Sequence, residues 1–169
     1  EATLEWNDAA VEGSYRFLRR VWNFGVKINE SANTINNIAV QAINTPATGQ
    51  KGNEKVALDK ATQALRLELH TLLKQVDFDY QRMQYNTVVS GCMKILNALE
   101  DFKASESKSA KSVVLEGFGI LLRCLYPAAP HLCHTLWQNL GFDKALGDLL
   151  DAPWPQVDAT ALVQDELEL

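Results

Sequence analysis

The sequence predicts an all-α protein, an up-and-down bundle of four to five helices. Three observations lead there. Apolar residues recur every three or four positions over several long stretches, as in helices with one buried face. No stretch alternates with period two for long enough to build a sheet. Proline, glycine and helix-capping residues fill the breaks between the periodic stretches.

Glu1 to Asn7 has no period, and its Trp6 is expected to pack on the helix that follows. That helix, Asp8 to Ile28, organises the chain, with Asp8 as the expected N-cap. At about 100° per residue, Arg20, Asn23 and Lys27 fall within roughly 40° of Arg16, and Arg19 about 60° away. Ala10, Phe17, Leu18, Val21, Gly25 and Ile28 centre on the opposite side, flanked by Val11, Tyr15, Trp22 and Phe24. On residues alone the basic side is either an ordinary solvated face or a surface for a polyanion. Trp22, at the edge of the apolar arc, is read as core packing.

Asn29 to Asn53 is rich in Asn and Thr and reads as a loop, with Ile35, Ile38, Ala39, Ala42 and Ile43 spaced for a short helix inside it. The second long helix is placed at Glu54 to Gln84, on the seam Leu58, Ala61, Leu65, Leu69, Leu72 and Val76. Asn86 or Thr87 is expected to cap a third helix with Val88, Val89, Cys92, Ile95, Leu96, Leu99 and Phe102 on its apolar face. Lys103 to Lys111 is a polar connection, and Ser109 is the expected cap of a fourth helix, Val113 to Tyr126. Pro127 ends that helix, Pro130 opens the next over His131 to Leu140, and Gly141 closes it. Leu146, Leu149 and Leu150 suggest one more short turn. Ala152 to Pro155 is expected to lie extended across the bundle, and the acidic residues from Val157 to Leu169 to form an extended exit or a frayed tail.

The chain has 169 residues, 47% of them hydrophobic, enough for one domain with a sizeable core. Its net charge of −5 is uneven. From Phe142 on, seven acids face Lys144 alone, a net of −6, so the remainder carries +1. Global acidity therefore does not exclude a nucleic-acid partner, because the local field of one face decides binding. Cys92, Cys124 and Cys133, odd in number and without paired spacing, predict reduced thiols and a cytoplasmic protein. No apolar run approaches a membrane span, and no signal peptide is visible. The opening Glu-Ala-Thr is expected to mark a processed product or an excised fragment.

Catalytic chemistry finds little here. His131, Cys133 and His134 share a helix start, but a tetrahedral metal site needs four ligands, so no metal is expected. Asp77 with Asp79, and Glu100 with Asp101, lack the disposition of a general acid and base. There is no phosphate loop and no dinucleotide fingerprint. No catalytic residue is assigned. A second polar surface is Arg82, Gln84, Tyr85, Asn86 and Thr87, where a cation, an amide and an aromatic meet at a helix junction. It reads either as a capped corner or as a place to hold a phosphate and stack a base.

Several stretches, in order, resemble the helical domain of leucyl-tRNA synthetases. They are Thr3-Leu4-Glu5-Trp6, then Gly13 and Arg16 to Trp22, then Tyr85 to Val89 with Met93. Leu125 to His131, Leu136-Trp137, Leu140-Gly141 and Ala152 to Pro155 complete the set. The resemblance spans about residues 3 to 157. The Asn-Thr and Pro-His motifs are shared with isoleucyl, valyl and methionyl relatives, while the opening stretch favours the leucyl family.

The resemblance implies a helical anticodon-binding domain over 1–157 and, over 158–169, an acidic exit segment towards a C-terminal domain. The family's H-I-G-H and K-M-S-K-S signatures are absent from the chain. ATP and Mg²⁺ would therefore belong to a catalytic domain outside it, and this part would hold no cofactor. Its partners would be a leucine-accepting tRNA and the missing catalytic and C-terminal domains, with no membrane. Arg16, Arg19, Arg20, Lys27, Arg82 and Asn86 are the candidate tRNA-binding residues. The competing reading is a helical adaptor that takes a protein partner in an apolar groove.

Overall fold

The computed structural model describes residues 8–32, 58–103 and 108–163. Trp6, the short helix expected around Ile35 to Ile43 and the acidic residues after Val163 lie outside them. Six α-helices are present among the described residues, without a strand. They are α1 (Asp8–Ala32), α2 (Lys60–Gln81), α3 (Tyr85–Asp101), α4 (Lys108–Leu125), α5 (Pro130–Asn139) and α6 (Phe142–Leu146). A 3₁₀ turn, Ala159–Leu162, follows.

The centre of the bundle is α4. Every residue from Val113 to Leu125 is buried, as expected of a helix apolar on all sides. It packs against α2 and α3 on one side and α5 on the other. Gly117 permits a close approach. A Cβ there would stand 2.7 Å from Leu69 Cδ1 and 2.9 Å from Leu99 Cδ2, so α2 and α3 both sit against the bare backbone. The opening helix docks on α5 and α3 through Phe17, Val21 and Gly25, with Phe24 tilted against Phe118 at 5.4 Å.

Several local expectations need correction. Asp8 stands inside the first turn of α1 rather than before it, where its charge still suits the positive end of the helix dipole. The second helix starts at Lys60, because Asp59 accepts the Thr62 amide at 2.7 Å and stops the helix extending backwards. Neither Asn86 nor Thr87 caps α3. The helix already includes both, its N-cap is Gln84 without a side-chain cap, and the Thr87 hydroxyl donates to the Gln84 carbonyl at 2.8 Å. The fourth helix likewise includes Ser109. The proline and glycine punctuation agrees with the structure. Helix α4 stops at Leu125, Pro130 opens α5, and Gly141 follows it with φ of 79°.

The largest departure lies at the acidic end. Through Val163 it is no frayed tail, for Asp158 is buried and the 3₁₀ turn docks on α2. The Arg66 guanidinium donates Nε to Glu116 Oε2 at 3.0 Å and Nη2 to Asp158 Oδ2 at 2.7 Å. Burial alone would push the Glu116 carboxyl up. Hydrogen bonds from His70 and Arg66, with the guanidinium charge, outweigh it and hold that carboxyl below its ordinary value. At Asp158, too, burial acts upward, and the bonds from Thr160 and Arg66 overcome it.

Candidate nucleic-acid interface

The basic side of α1 is solvent-facing, as its spacing requires. Arg16, Arg19 and Lys27 are exposed. Arg16 pairs with Glu12 one turn earlier, both side chains well out in water, an arrangement that leaves the guanidinium available. Arg19 has no ion-pair partner among the described residues. Arg20 differs. Its Nε and Nη2 donate to Glu100 Oε1 at 3.1 and 2.8 Å, and Nη2 donates to Asn97 Oδ1 at 2.6 Å. This candidate therefore clips α1 to α3, and less of its charge is offered outward.

The apolar arc of α1 is narrower than its sequence implies. Asp8 to Arg16 is exposed throughout, and so are Trp22 and Val26 at 38% each. Trp22 is not core packing. Val11, Tyr15, Trp22 and Val26 form an exposed stripe beside the buried Phe17 and Val21.

The second candidate surface is the corner between α2 and α3. Arg82 lies over the Phe78 ring, 4.4 Å from its centroid. Tyr80 stacks on Trp154 at 4.6 Å and meets Tyr85 edge-on at 6.0 Å. Asn86 is exposed in the first turn of α3. The turn itself closes by Gln84 N–H to Asp79 O at 2.9 Å and Met83 N–H to Tyr80 O at 3.0 Å. These are the two bonds of a Schellman motif, which puts Met83 at the left-handed position usually held by glycine. Met83 has φ of 58° and is 74% exposed.

The two surfaces are not one. Asn86 and Glu100, the contact of Arg20, are fourteen residues apart on α3, which is about 21 Å along its axis. Phe78, Tyr80, Met83 and Trp154 were missed by reasoning from sequence. Phe78 carries a signal, since it falls on the side of α2 opposite the Leu65, Leu69, Val76 seam, whereas Tyr80 continues that seam one turn after Val76 and reads as core. Asp79, by contrast, is buried and accepts from Gln75 at 3.0 Å, while Asp77 faces Gln81. No group of three or more His, Cys, Asp or Glu among the described residues is placed to hold a metal ion. Cys133 is buried, and His134 faces Asp148 at 3.5 Å. No described helix is long and apolar enough to cross a membrane.

A family profile described as the anticodon-binding domain of tRNA ligase matches residues 62–169. The chain belongs to that family. An anticodon-binding domain agrees with the helical bundle of the described residues. Over its whole length the chain is 66% identical to the leucine–tRNA ligase of Albidiferax ferrireducens. It is 65% identical to that of Polaromonas naphthalenivorans and 63% to that of Paracidovorax citrulli. It spans 18% of the length of each of these relatives. The α2–α3 corner lies within the matched residues, and α1 precedes them.

Proposed function

We propose that the chain is the tRNA-positioning part of a leucine–tRNA ligase, an enzyme that joins leucine to its tRNA with ATP. The observation that carries this is the exposed basic face of α1, on a domain whose family and relatives are tRNA ligases. Arg16, Arg19 and Lys27 contact backbone phosphates, for which guanidinium groups supply paired donors. Arg82, Tyr85 and Asn86 form a second contact, at the end of α3 remote from Glu100, where Arg20 ties α1 to that helix. Two separated contacts on one packed bundle fix the direction of a long polyanion, so the acceptor end is held in register by orientation. Backbone and shape contacts dominate over base readout.

Catalysis, with ATP and Mg²⁺, belongs to a domain outside this chain, and the working location is the cytoplasm. The exposed stripe Val11, Tyr15, Trp22 and Val26 packs against other parts of the same polypeptide. The relatives are more than five times longer than this chain, which supports a covered apolar face. In the full enzyme, Arg16→Ala with Arg19→Ala raises the KM for tRNA about tenfold and flattens its salt dependence. Unchanged tRNA kinetics would reject the role. Arg20→Ala acts less on tRNA than Arg19→Ala does, because Glu100 and Asn97 already hold its donors.

A further inference from the structure

Helix α1 has three sides rather than two. At about 100° per residue, Phe17, Val21, Gly25 and Ile28 centre on the side that meets the bundle. Val11, Tyr15, Leu18, Trp22 and Val26 centre about 120° round from it, and Arg16, Arg19, Arg20 and Lys27 about 120° further. The first side is covered by the bundle, and the third is the basic face. The second is apolar and open to solvent. Val11 is 45%, Tyr15 64%, and Trp22 and Val26 each 38% exposed, while Leu18 between them is half-buried. These five follow one another at steps of four, three, four and four residues over roughly 22 Å of helix, the spacing of a face that packs on a partner.

Charge, area and chain length together choose the partner. The arc spanned by the five holds no Arg or Lys, and Asp8 stands at its start, so a polyanion finds no cation there. At those exposures the four open side chains present roughly 350 Å². Each side of a stable complex between separate proteins contributes about 800 Å². A second copy or a free protein would therefore be held weakly. A part of the same polypeptide would not, because the connecting chain keeps it at high effective concentration. Such polypeptide exists in the relatives, of whose length this chain spans 18%.

We propose that α1 is a three-sided strut whose apolar side is seated on the catalytic part of the ligase, which makes Tyr15 and Trp22 positioning residues for tRNA charging. The inference rests on the tRNA-positioning reading and supplies the link that reading needs. One helix meets tRNA on its basic side and the catalytic part on its apolar side. The distance between bound phosphates and the reacting atoms is then set through α1 itself. A shift of α1 on its seat moves the acceptor end, and rates fall steeply with such misplacement.

The test uses the full ligase. A photo-crosslinking phenylalanine analogue replaces Tyr15, and ultraviolet light joins it, without tRNA present, to the part of the ligase that binds ATP. Attachment anywhere else overturns the proposal, whether within these 169 residues, to a second copy or to added tRNA, and so does none at all. In the kinetic arm, Tyr15→Ser with Trp22→Ser lowers kcat for charging about tenfold. Leucine-dependent ATP–pyrophosphate exchange and tRNA affinity stay at wild-type values. Tyr15→Phe with Trp22→Phe keeps the apolar surface and restores kcat. Unaltered kcat in the serine pair overturns the positioning role. Exchange and charging lost together show a merely structural seat and overturn it too. Weaker tRNA affinity with kcat intact gives the stripe to tRNA, again overturning it. The positioning reading fails separately, if Arg16→Ala with Arg19→Ala leaves tRNA kinetics unchanged while the crosslink still forms.

Discussion

The backbone N–H of Asp158 donates to His70 Nδ1 at 3.1 Å, joining residues 88 apart in sequence. This bond sets the state of the imidazole. Nδ1 accepts, so it carries no proton, and Nε2–H is the donor to Glu116 Oε1 at 2.8 Å. A neutral His70 thus bridges the backbone of the 157–163 segment to the carboxylate at the centre of α4. Arg66 spans the same two elements through charge.

Arg66→Met leaves Glu116 and Asp158 buried without their cation. The expected cost is about 3–5 kcal/mol, the usual penalty for breaking a buried pair by removing one partner. Urea unfolding followed by circular dichroism measures it, and a loss below about 1 kcal/mol would show that the network is dispensable.

Acid should act through the same two carboxyls. Both lie below their ordinary values when folded. A depressed folded pKa gives stability that is complete above the unfolded value, near 4, and is lost as pH falls through the folded one. The urea midpoint is therefore flat from pH 7 to about 5 on account of these groups, and it drops below about pH 4. In Arg66→Met that drop is shallower, because the guanidinium that depresses both carboxyls is gone. Equal acid slopes in wild type and variant would contradict the assignment.

Met83→Gly should stabilise the fold. The left-handed conformation costs a side-chain-bearing residue about 1–2 kcal/mol, and part of that returns with glycine. A rise of about 2–4 °C in melting midpoint is expected. If the midpoint falls instead, the Met83 side chain contributes packing that its exposure does not suggest.

Two glycines on helices should answer oppositely to alanine. At Gly117 the new methyl meets Leu69 and Leu99, which are 0% and 2% exposed and have nowhere to move. Overpacking of about 1–3 kcal/mol exceeds the propensity gain of about 1 kcal/mol. At Gly13 nothing lies within 4 Å, so Gly13→Ala gains most of that propensity. Thermal melts of the two variants should shift in opposite directions.

All three thiols should be silent in the native state. Burial pushes Cys92 and Cys133 up to about 12 and Cys124 well above its ordinary value, and all three are buried. An aromatic disulfide reagent at pH 8 should label them only after denaturant is added. Rapid labelling of the folded protein would refute this.

Much of the architecture was legible because helix period is a local property. The sequence placed a fourth helix over Val113 to Tyr126, and Pro127, Pro130 and Gly141 marked where the chain must turn. The basic side of α1 followed from 100° geometry alone. Cap positions were less legible, since Asp59 and Gln84 compete with equally suitable neighbours, and one hydrogen bond decides between them. The candidate site was half visible. Arg16, Arg19, Lys27, Arg82 and Asn86 stand exposed on helix faces that sequence identifies.

Sequence by itself therefore determined where this protein is helical, which side of α1 is cationic, and that no sheet forms among its described residues. Tertiary structure alone decided which part of the apolar arc is covered, leaving Trp22 outside. It also decided that Arg20 meets Glu100, that Tyr80 stacks on Trp154, and that Asp158 closes onto His70 and Arg66. The reason is one of range. Periodicity and caps involve neighbours within about a turn, whereas each of these pairs joins residues more than 70 positions apart. Such partners are chosen by the way whole helices pack around α4.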